Sequence, residues 1–384
     1  MKIVLNFLPL KSGGGLQVGL DFIEQAKQHG REHEWFLVAT KGTPLAEVRE
    51  ASNLRLVKTV PKSVMARLWF EYLGCRRLIR EVGAKLIYTQ FGPHWPGARI
   101  FNIVGCAYSN LFYPEINFWE RLPLSRRLVR KGIDSLRMLR LRQADHVIFE
   151  TEDLARRAVR LKGFQNERVS WAKPSVSSLV ASDKEHIPTR ELCRRLPKGF
   201  RILLLSTYNP NKNIDLLPLI AKVINERLPD NDMVFVMTLP PQCSTTLQIL
   251  KDAQKLGVSD RIVNLGPIPQ EGCAEVYRAC DLVILPSQLE SFSNTIAEAW
   301  AMRKPLLLTD MDWSRLLCKA GAGYFRYRDS HDAANQILRI RNDSGYYAAL
   351  VAEGERMLHT YPTACERFQQ YLSIIERFAP TEKI

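Results

Sequence analysis

At 384 residues the chain is too long for a lone small module and, at roughly 150 residues per domain, fits two domains or one large α/β unit. Hydrophobic residues at 46% and charged residues at 24% are values of an ordinary globular protein, which excludes disorder on composition. Charge is the unusual quantity: 54 Lys and Arg against 40 Asp and Glu give +14, and residues 1–185 hold 30 basic and 18 acidic side chains, so that half carries +12 and leaves +2 for 186–384.

The N-terminus, MKIVLNFLPLKSGGG, has an apolar stretch broken by Asn6, Pro9 and Lys11. It is too short for a signal-peptide core or a membrane span, so the chain is expected in the cytoplasm. Residues 2–8 read as a buried strand and 12–15 as a glycine loop, followed by a helix whose apolar positions Leu16, Leu20, Ile23 and Ala26 recur near the helical period. Strands follow at 35–40, 86–90, 100–104 and 146–151, with helical stretches such as 64–82 and 124–143 between them. Between Trp171 and Phe200 the pattern lapses into a polar run with three prolines, which reads as an interdomain connection. A second alternating series then begins: strands at 201–207, 232–238, 261–266, 281–286 and 305–310, and a helix at 214–228. The stretch from Pro362 to Phe378 is helical and amphipathic. Strands alternating with helices indicate parallel sheets covered on both faces. The expected fold is therefore α/β: two Rossmann-like domains facing a central cleft, one at 1–185 and one at 186–361, with 362–384 crossing back to the first. Ligands of such sheets bind at the carboxyl ends of the strands.

The eight cysteines (75, 106, 193, 243, 273, 280, 318 and 365) form no CxxC pair, which excludes a zinc ribbon or a thioredoxin motif and fits reduced cytosolic thiols. The densest chemistry lies in DLVILPSQLESFSNTIAEAWAMRKPLLLTD, 281–310. A buried strand ends there at Pro286, a polar loop runs from Ser287 to Ser293, and a helix starts at Asn294 or Thr295. Free N–H groups at a helix start suit a diphosphate. Glu290 precedes that start and Glu298 lies about one turn inside it, so two carboxylates, strong acceptors for sugar hydroxyls, flank it. Spacing alone equally allows two surface glutamates.

This stretch resembles the signature of the retaining glycosyltransferases of the GT-B fold, in the group called family 4 or group 1. That signature is a glutamate, seven residues and a second glutamate, here Glu290 and Glu298, after a strand ending in Pro286 and Ser287 and before a Pro-led strand. VNLGPIPQEGCAEVYRACDLVILPS (263–287) is similar to the segment that precedes it in the family, and the resemblance covers nearly all of 201–328, with weaker echoes at 1–40 and 145–177. It implies that Glu298 binds the ribose hydroxyls of a nucleotide and Glu290 the transferred sugar. Backbone amides of Phe292, Ser293, Asn294 and Thr295 would hold sugar and diphosphate, and Gly266, Pro267 and Ile268 would contact the base; the family usually has Gly where Ser293 stands. STYNPNKN (206–213) matches a segment that gives an Arg and a Lys to the leaving diphosphate. Lys212 holds the Lys position and is expected to act with Glu290 in catalysis, while Ser206 and Thr207 line the donor site and Thr207 replaces the Arg. Fixed cations facing a leaving diphosphate are a main source of rate in such reactions.

In the first half, KSGGGLQ (11–17) lacks a Walker Lys-Ser/Thr pair and the dinucleotide spacing, which argues against nucleoside triphosphate and NAD. The resemblance gives Gly13, Gly14 and Gly15 a role as amide donors to phosphate and acceptor. His94 follows the strand at 86–90, whereas the family's His stands after the next strand, where this chain has Tyr108, Ser109 and Asn110. All four are acceptor-side candidates. His29 and His33 have metal-like spacing interrupted by Gly30, and Asp310 and Asp312 imitate a DxD motif. GT-B enzymes use a helix start and basic side chains instead of a metal, so no metal and no cofactor beyond the nucleotide diphosphate sugar is expected. RRLIR (76–80) and residues 125–143 are basic, and the second is amphipathic: Leu128, Ile133, Leu136, Leu139 and Leu141 against Arg126, Arg127, Arg130, Lys131, Arg137, Arg140 and Arg142. No nucleic-acid module is present. The expected activity is transfer of a hexose, with retention, to a glycan, lipid-linked or other anionic acceptor in polysaccharide or glycolipid assembly, at the cytoplasmic face of an anionic membrane. The alternative is a non-catalytic nucleotide-sugar-binding protein, favoured by Thr207 and Ser293.

Overall fold

The computed structural model describes residues 1–175 and 185–378. Two compact units divide the chain: Met1–Ser175 together with Pro362–Ile384, and Val176–Tyr361.

The first unit is a seven-stranded, all-parallel sheet of β1 (Lys2–Asn6), β2 (Glu34–Thr40), β3 (Leu54–Val60), β4 (Leu86–Thr89), β5 (Phe101–Cys106), β6 (His146–Phe149) and β7 (Val169–Trp171), in the order β3-β2-β1-β4-β5-β6-β7. Its helices are α1 (Gly13–His29), α2 (Val64–Trp69), α3 (Cys75–Val82), α4 (Leu124–Gln143) and α5 (Glu152–Lys162). The strand read at 2–8 stops at Asn6, and the glycine loop read at 12–15 is largely the first turn of α1, opened by Gly13 at φ +67°. The single helix read at 64–82 is two helices joined by a π-helical turn, Phe70–Gly74. That wide turn brings Glu71 inward, where it is 1% exposed and accepts hydrogen bonds from Arg67 Nε (2.6 Å) and Arg140 Nη1 (2.8 Å). Strand β3 lies at the sheet edge with Arg55 and Lys58 exposed, and this broken alternation hides it in the sequence.

The second unit is a six-stranded parallel sheet in the order β10-β9-β8-β11-β12-β13, made of β8 (Arg201–Leu204), β9 (Val234–Met237), β10 (Ile262–Asn264), β11 (Leu282–Leu285), β12 (Leu306–Thr309) and β13 (Gly323–Phe325). Every residue of β9, β11 and β12 is buried, as continuous apolar runs such as LVIL require of strands covered on both faces. The covering helices are α6 (Ile187–Arg194), α7 (Leu217–Arg227), α8 (Ser244–Lys255), α9 (Cys273–Arg278), α10 (Asn294–Ala301), α11 (Asp312–Cys318), α12 (Ser330–Asn342) and α13 (Ser344–Leu358). The polar stretch read as an interdomain connection lies at 176–184 outside the described residues. Its remainder is corrected at α6, a helix with Pro188 in its first turn and the His186 side chain accepting from the Thr189 amide.

The last helix, α14 (Ala364–Arg377), belongs to the first unit. Thr363 and Glu366 form a capping box at its start, and Phe368, Tyr371, Leu372 and Ile375 recur at the helical period on its buried face. Phe368 and Tyr371 meet Phe22 of α1 at ring-centroid distances of 5.1 and 6.1 Å. Burying each such ring stabilises the unit by about 1.5–3 kcal/mol.

Candidate active site

Strand order sets the place of the site in the second unit. The chain leaves β8 toward β9 on one side and adds β11 on the other, so the loops after β8 and β11 leave the sheet side by side at its topological switch point, the ligand crevice of open α/β sheets. The first loop carries Lys212 and the second Glu290.

Lys212 closes a 3-10 turn, Pro210–Lys212, after which Asn213 takes a left-handed conformation at φ +48°. The two asparagines beside Lys212 bind the other loop: Asn211 Nδ2 donates to Leu289 O (2.8 Å) and Asn213 Nδ2 to Pro286 O (2.9 Å), while the Gln288 amide donates to Asn211 O (2.7 Å). Trp313 Nε1 holds the same loop from α11 by donating to Gln288 O (2.9 Å). On this support Lys212 Nζ and Glu290 Oε1 stand 2.5 Å apart, with side chains 17% and 11% exposed. Glu290 is therefore not a freely solvated surface glutamate.

The helix expected at Asn294 or Thr295 begins at Asn294. Ser293 is its N-cap residue, buried, and its side chain caps no amide; the Ile296 amide donates to Ser293 O (2.9 Å), and the Asn294 and Thr295 amides at the helix start stay available to an anion. Thr295 Oγ1 donates to Leu205 O (3.3 Å), tying the helix start to the end of β8. One turn on, Glu298 is 7% exposed and accepts a hydrogen bond from Tyr277 Oη (2.8 Å) on α9. Burial raises the Glu298 pKa above the ordinary carboxylate value, and the Tyr277 bond acts in the opposite direction. Cys273, at the start of α9, has its thiol pushed up to about 12 by burial and then by the charge of Glu298.

The remaining candidates of this unit sit around that centre less tightly. Ser206 Oγ donates to Thr207 O (2.9 Å), and Thr207 is exposed. Arg328 is the guanidinium bonded to the Lys212 turn, through Asn213 Oδ1 (3.1 Å) and Asp215 (2.9 Å). Gly266, at φ +76°, begins the 266–268 segment after β10 and donates its amide to Asn264 Oδ1 (3.3 Å); Pro267 is exposed and Ile268 half-buried. Phe292 packs against Tyr361 at 5.9 Å between ring centroids. Asp310 accepts two bonds from Arg315 (2.7 and 2.8 Å), so the first carboxylate of the DxD-like pair is engaged in an ion pair.

In the first unit Gly13, Gly14 and Gly15 form the first turn of α1, the outer two positions being exposed and half-buried. His94 is buried, with its pKa lowered by that burial, and lies near Arg140 and Glu71. Tyr108 lies beneath the Arg137 guanidinium (4.5 Å to the ring centroid), Ser109 is buried, and Asn110 Nδ2 donates to Asp134 Oδ2 (2.8 Å). The loop after β5 is thus fastened to α4. Tyr277, Asn211, Asn213 and Trp313 were missed in the sequence as site residues; the two asparagines flanking Lys212 were the available signal.

Residues 199–343 match the family model described as "Glycosyl transferases group 1". The D-inositol 3-phosphate glycosyltransferase of Nocardia farcinica is 27% identical over 262 residues, 65% of this chain and 56% of that protein. The mannosylfructose-phosphate synthase of Agrobacterium fabrum is 31% identical over 137 residues, 33% of this chain and 30% of that protein. The chain spans about half the length of the first curated relatives it matches. Among solved structures, Anabaena HepE in complex with UDP-glucose gives a TM-score of 0.74 at 15% identity, over 98% of this chain and 100% of that one. The sucrose-phosphate synthase of Thermosynechococcus elongatus gives 0.73 at 15% identity, over 98% of both chains. At such identity the likeness shows the fold, two Rossmann-like α/β domains of the kind found in GT-B glycosyltransferases.

Proposed function

We propose that the chain, whose residues 199–343 match the group 1 glycosyltransferase family model, transfers a sugar from a nucleotide diphosphate sugar to an acceptor hydroxyl, with retention at the anomeric carbon. The observation that carries this reading is the Lys212–Glu290 pair, 2.5 Å apart, beside the open first turn of α10 with Glu298 one turn further on. Two carboxylates, one cation and a helix start match the needs of a sugar, a ribose and a diphosphate. As donor binds, its diphosphate draws Lys212 to the leaving oxygen and frees Glu290 for the sugar hydroxyls; negative charge developing on the diphosphate is then met by a fixed cation and fixed amides. Retention is carried over from the resemblance of 201–328 to the retaining family. The acceptor belongs to the first unit and is a glycan or a lipid-linked, anionic molecule, with the protein peripheral on a cytoplasmic membrane face.

A thermal-shift panel of nucleotide sugars, beginning with UDP-glucose because HepE was solved with it, tests the reading. One donor at a hundred times its dissociation constant is expected to add about 2.7 kcal/mol of stability. Stabilisation by none of them would overturn the proposal. Stabilisation without turnover on any acceptor would leave the binding-protein reading, which Thr207 in place of the family's Arg favours.

We further propose that activity is independent of divalent metal, since Lys212 and the α10 amides are placed to hold the diphosphate charge. Turnover is expected to be unchanged by chelator; full loss that manganese restores would reassign that charge to a metal.

A further inference from the structure

An amphipathic helix of a globular unit ordinarily turns its apolar face to the core. Helix α4 does the reverse. At about 100° per residue, Leu124, Leu128, Val129, Ile133, Leu136 and Leu139 share one half of the helix, and all six are exposed, by 69, 62, 64, 37, 47 and 53%. The opposite side holds Leu141, fully buried, and Asp134, which accepts from Asn110 (2.8 Å) and Trp119 (2.6 Å) and so faces the unit. Exposed Arg126 and Arg130 border the apolar half along one side, and Lys131 and Arg142 along the other.

A second exposed stripe lies next to it. Val64, Met65, Leu68, Trp69, Tyr72 and Leu73, on α2 and the π turn, recur at i, i+1, i+4, i+5, i+8 and i+9 and are exposed by 36–75%. Arg140 of α4 joins the two segments, donating to Glu71 Oε2 (2.8 Å) and to Tyr72 Oη (3.1 Å). These two segments supply 12 of the 21 exposed large apolar side chains among the described residues, so the apolar surface is concentrated rather than scattered. No helix among the described residues is long and apolar enough to cross a membrane.

We propose that α2, the π turn and α4 form one docking surface for an anionic lipid bilayer, with the two apolar stripes entering the interface and the bordering arginines meeting lipid phosphates. Charge complementarity selects this occupant: an apolar strip edged on both sides by cations matches an acyl layer beneath anionic headgroups. The inference deepens the reading of the first unit as the acceptor unit, because the inner face of α4 holds the loop after β5 through Asn110–Asp134 and through Arg137 over Tyr108. Docking would then bring that loop to headgroup depth, where a lipid-linked acceptor presents its hydroxyl.

Flotation of the full chain with vesicles of phosphatidylcholine, alone or mixed with phosphatidylglycerol, tests the surface without any sugar transfer. The protein is expected to float with the mixed vesicles and to be released as salt rises. Arg126→Gln with Arg130→Gln should lower partitioning ~30-fold, at about 1 kcal/mol per cation. Met65→Ser with Trp69→Ser should lower it by a similar factor, through lost apolar burial. Both double variants remove exposed side chains, so an unchanged melting temperature and donor-induced thermal shift verify the fold. Equal recovery in the unbound fraction with both vesicle types at low salt would overturn the proposal. So would a vesicle-free dimer, seen by sedimentation, that the Met65 and Trp69 substitutions abolish, since the occupant would then be a second copy.

Discussion

Lys212→Ala is expected to lower kcat by ~10²–10³, the loss seen when a single preorganised charge stabiliser is removed from a buried site, with a smaller change in KM. The side chain is well placed for that effect. It is 17% exposed, and its turn is fixed to the facing loop by Asn211 and Asn213, so little reorganisation accompanies charge development. Lys212→Met, which keeps the length and removes the charge, should behave like the alanine variant, which separates charge from packing. Glu290→Gln should lower kcat at least as much as it weakens donor binding, because the amide accepts sugar hydroxyls less strongly and no longer balances Lys212. Stopped assays under donor saturation read the split between kcat and KM. Turnover at the wild-type rate in Lys212→Met would remove the lysine from the reaction and with it this account of the leaving group.

The parts of this site that were legible in the sequence are those whose chemistry is local. Glu290, Glu298 and the helix start between them lie within nine residues of one another, and a buried strand ending at Pro286 announces them. What was not legible depends on chain-distant pairing. Tyr277 reads as a core aromatic until α9 is packed against α10, and only then does its hydroxyl meet Glu298. Asn211 and Asn213 read as loop residues until β8 and β11 are paired in the sheet, which brings their side chains to the carbonyls of Leu289 and Pro286. In the first unit the helical period of 124–143 gave the correct helix, but which half faces outward was open in the sequence. The burial of Leu141 and the Asp134 bonds decide it, and they turn the leucines out. The π turn at 70–74 had no signal in periodicity, since one widened turn shifts the phase of an otherwise continuous helical pattern.

Glu298→Gln is expected to weaken donor binding by about 1–3 kcal/mol, the range for losing charge-assisted hydrogen bonds to hydroxyls, with the apo protein at least as stable as wild type at neutral pH. The second half of that expectation follows from the sign of the pKa shift. Burial raises the Glu298 pKa, so between the ordinary carboxylate value and the raised one the folded chain binds more protons than the unfolded chain. Stability therefore falls as pH rises through that window, and a neutral amide removes the cost of holding the charge. Donor affinity has the opposite dependence, because the ionised carboxylate is the stronger acceptor for ribose hydroxyls. It should decline as pH drops through the raised pKa, at higher pH than for an ordinary glutamate, and Glu298→Gln should abolish that step. Tyr277→Phe tests the same balance from the other partner. It deletes the 2.8 Å bond that favours the ionised form, so it should move the acid limb of donor affinity to still higher pH and leave affinity at alkaline pH close to wild type. Calorimetric titration of donor across pH with the three proteins reads all of these effects. A pH profile in Tyr277→Phe that superimposes on wild type would mean that the tyrosine only fills space and that Glu298 is ionised by something other than its hydroxyl.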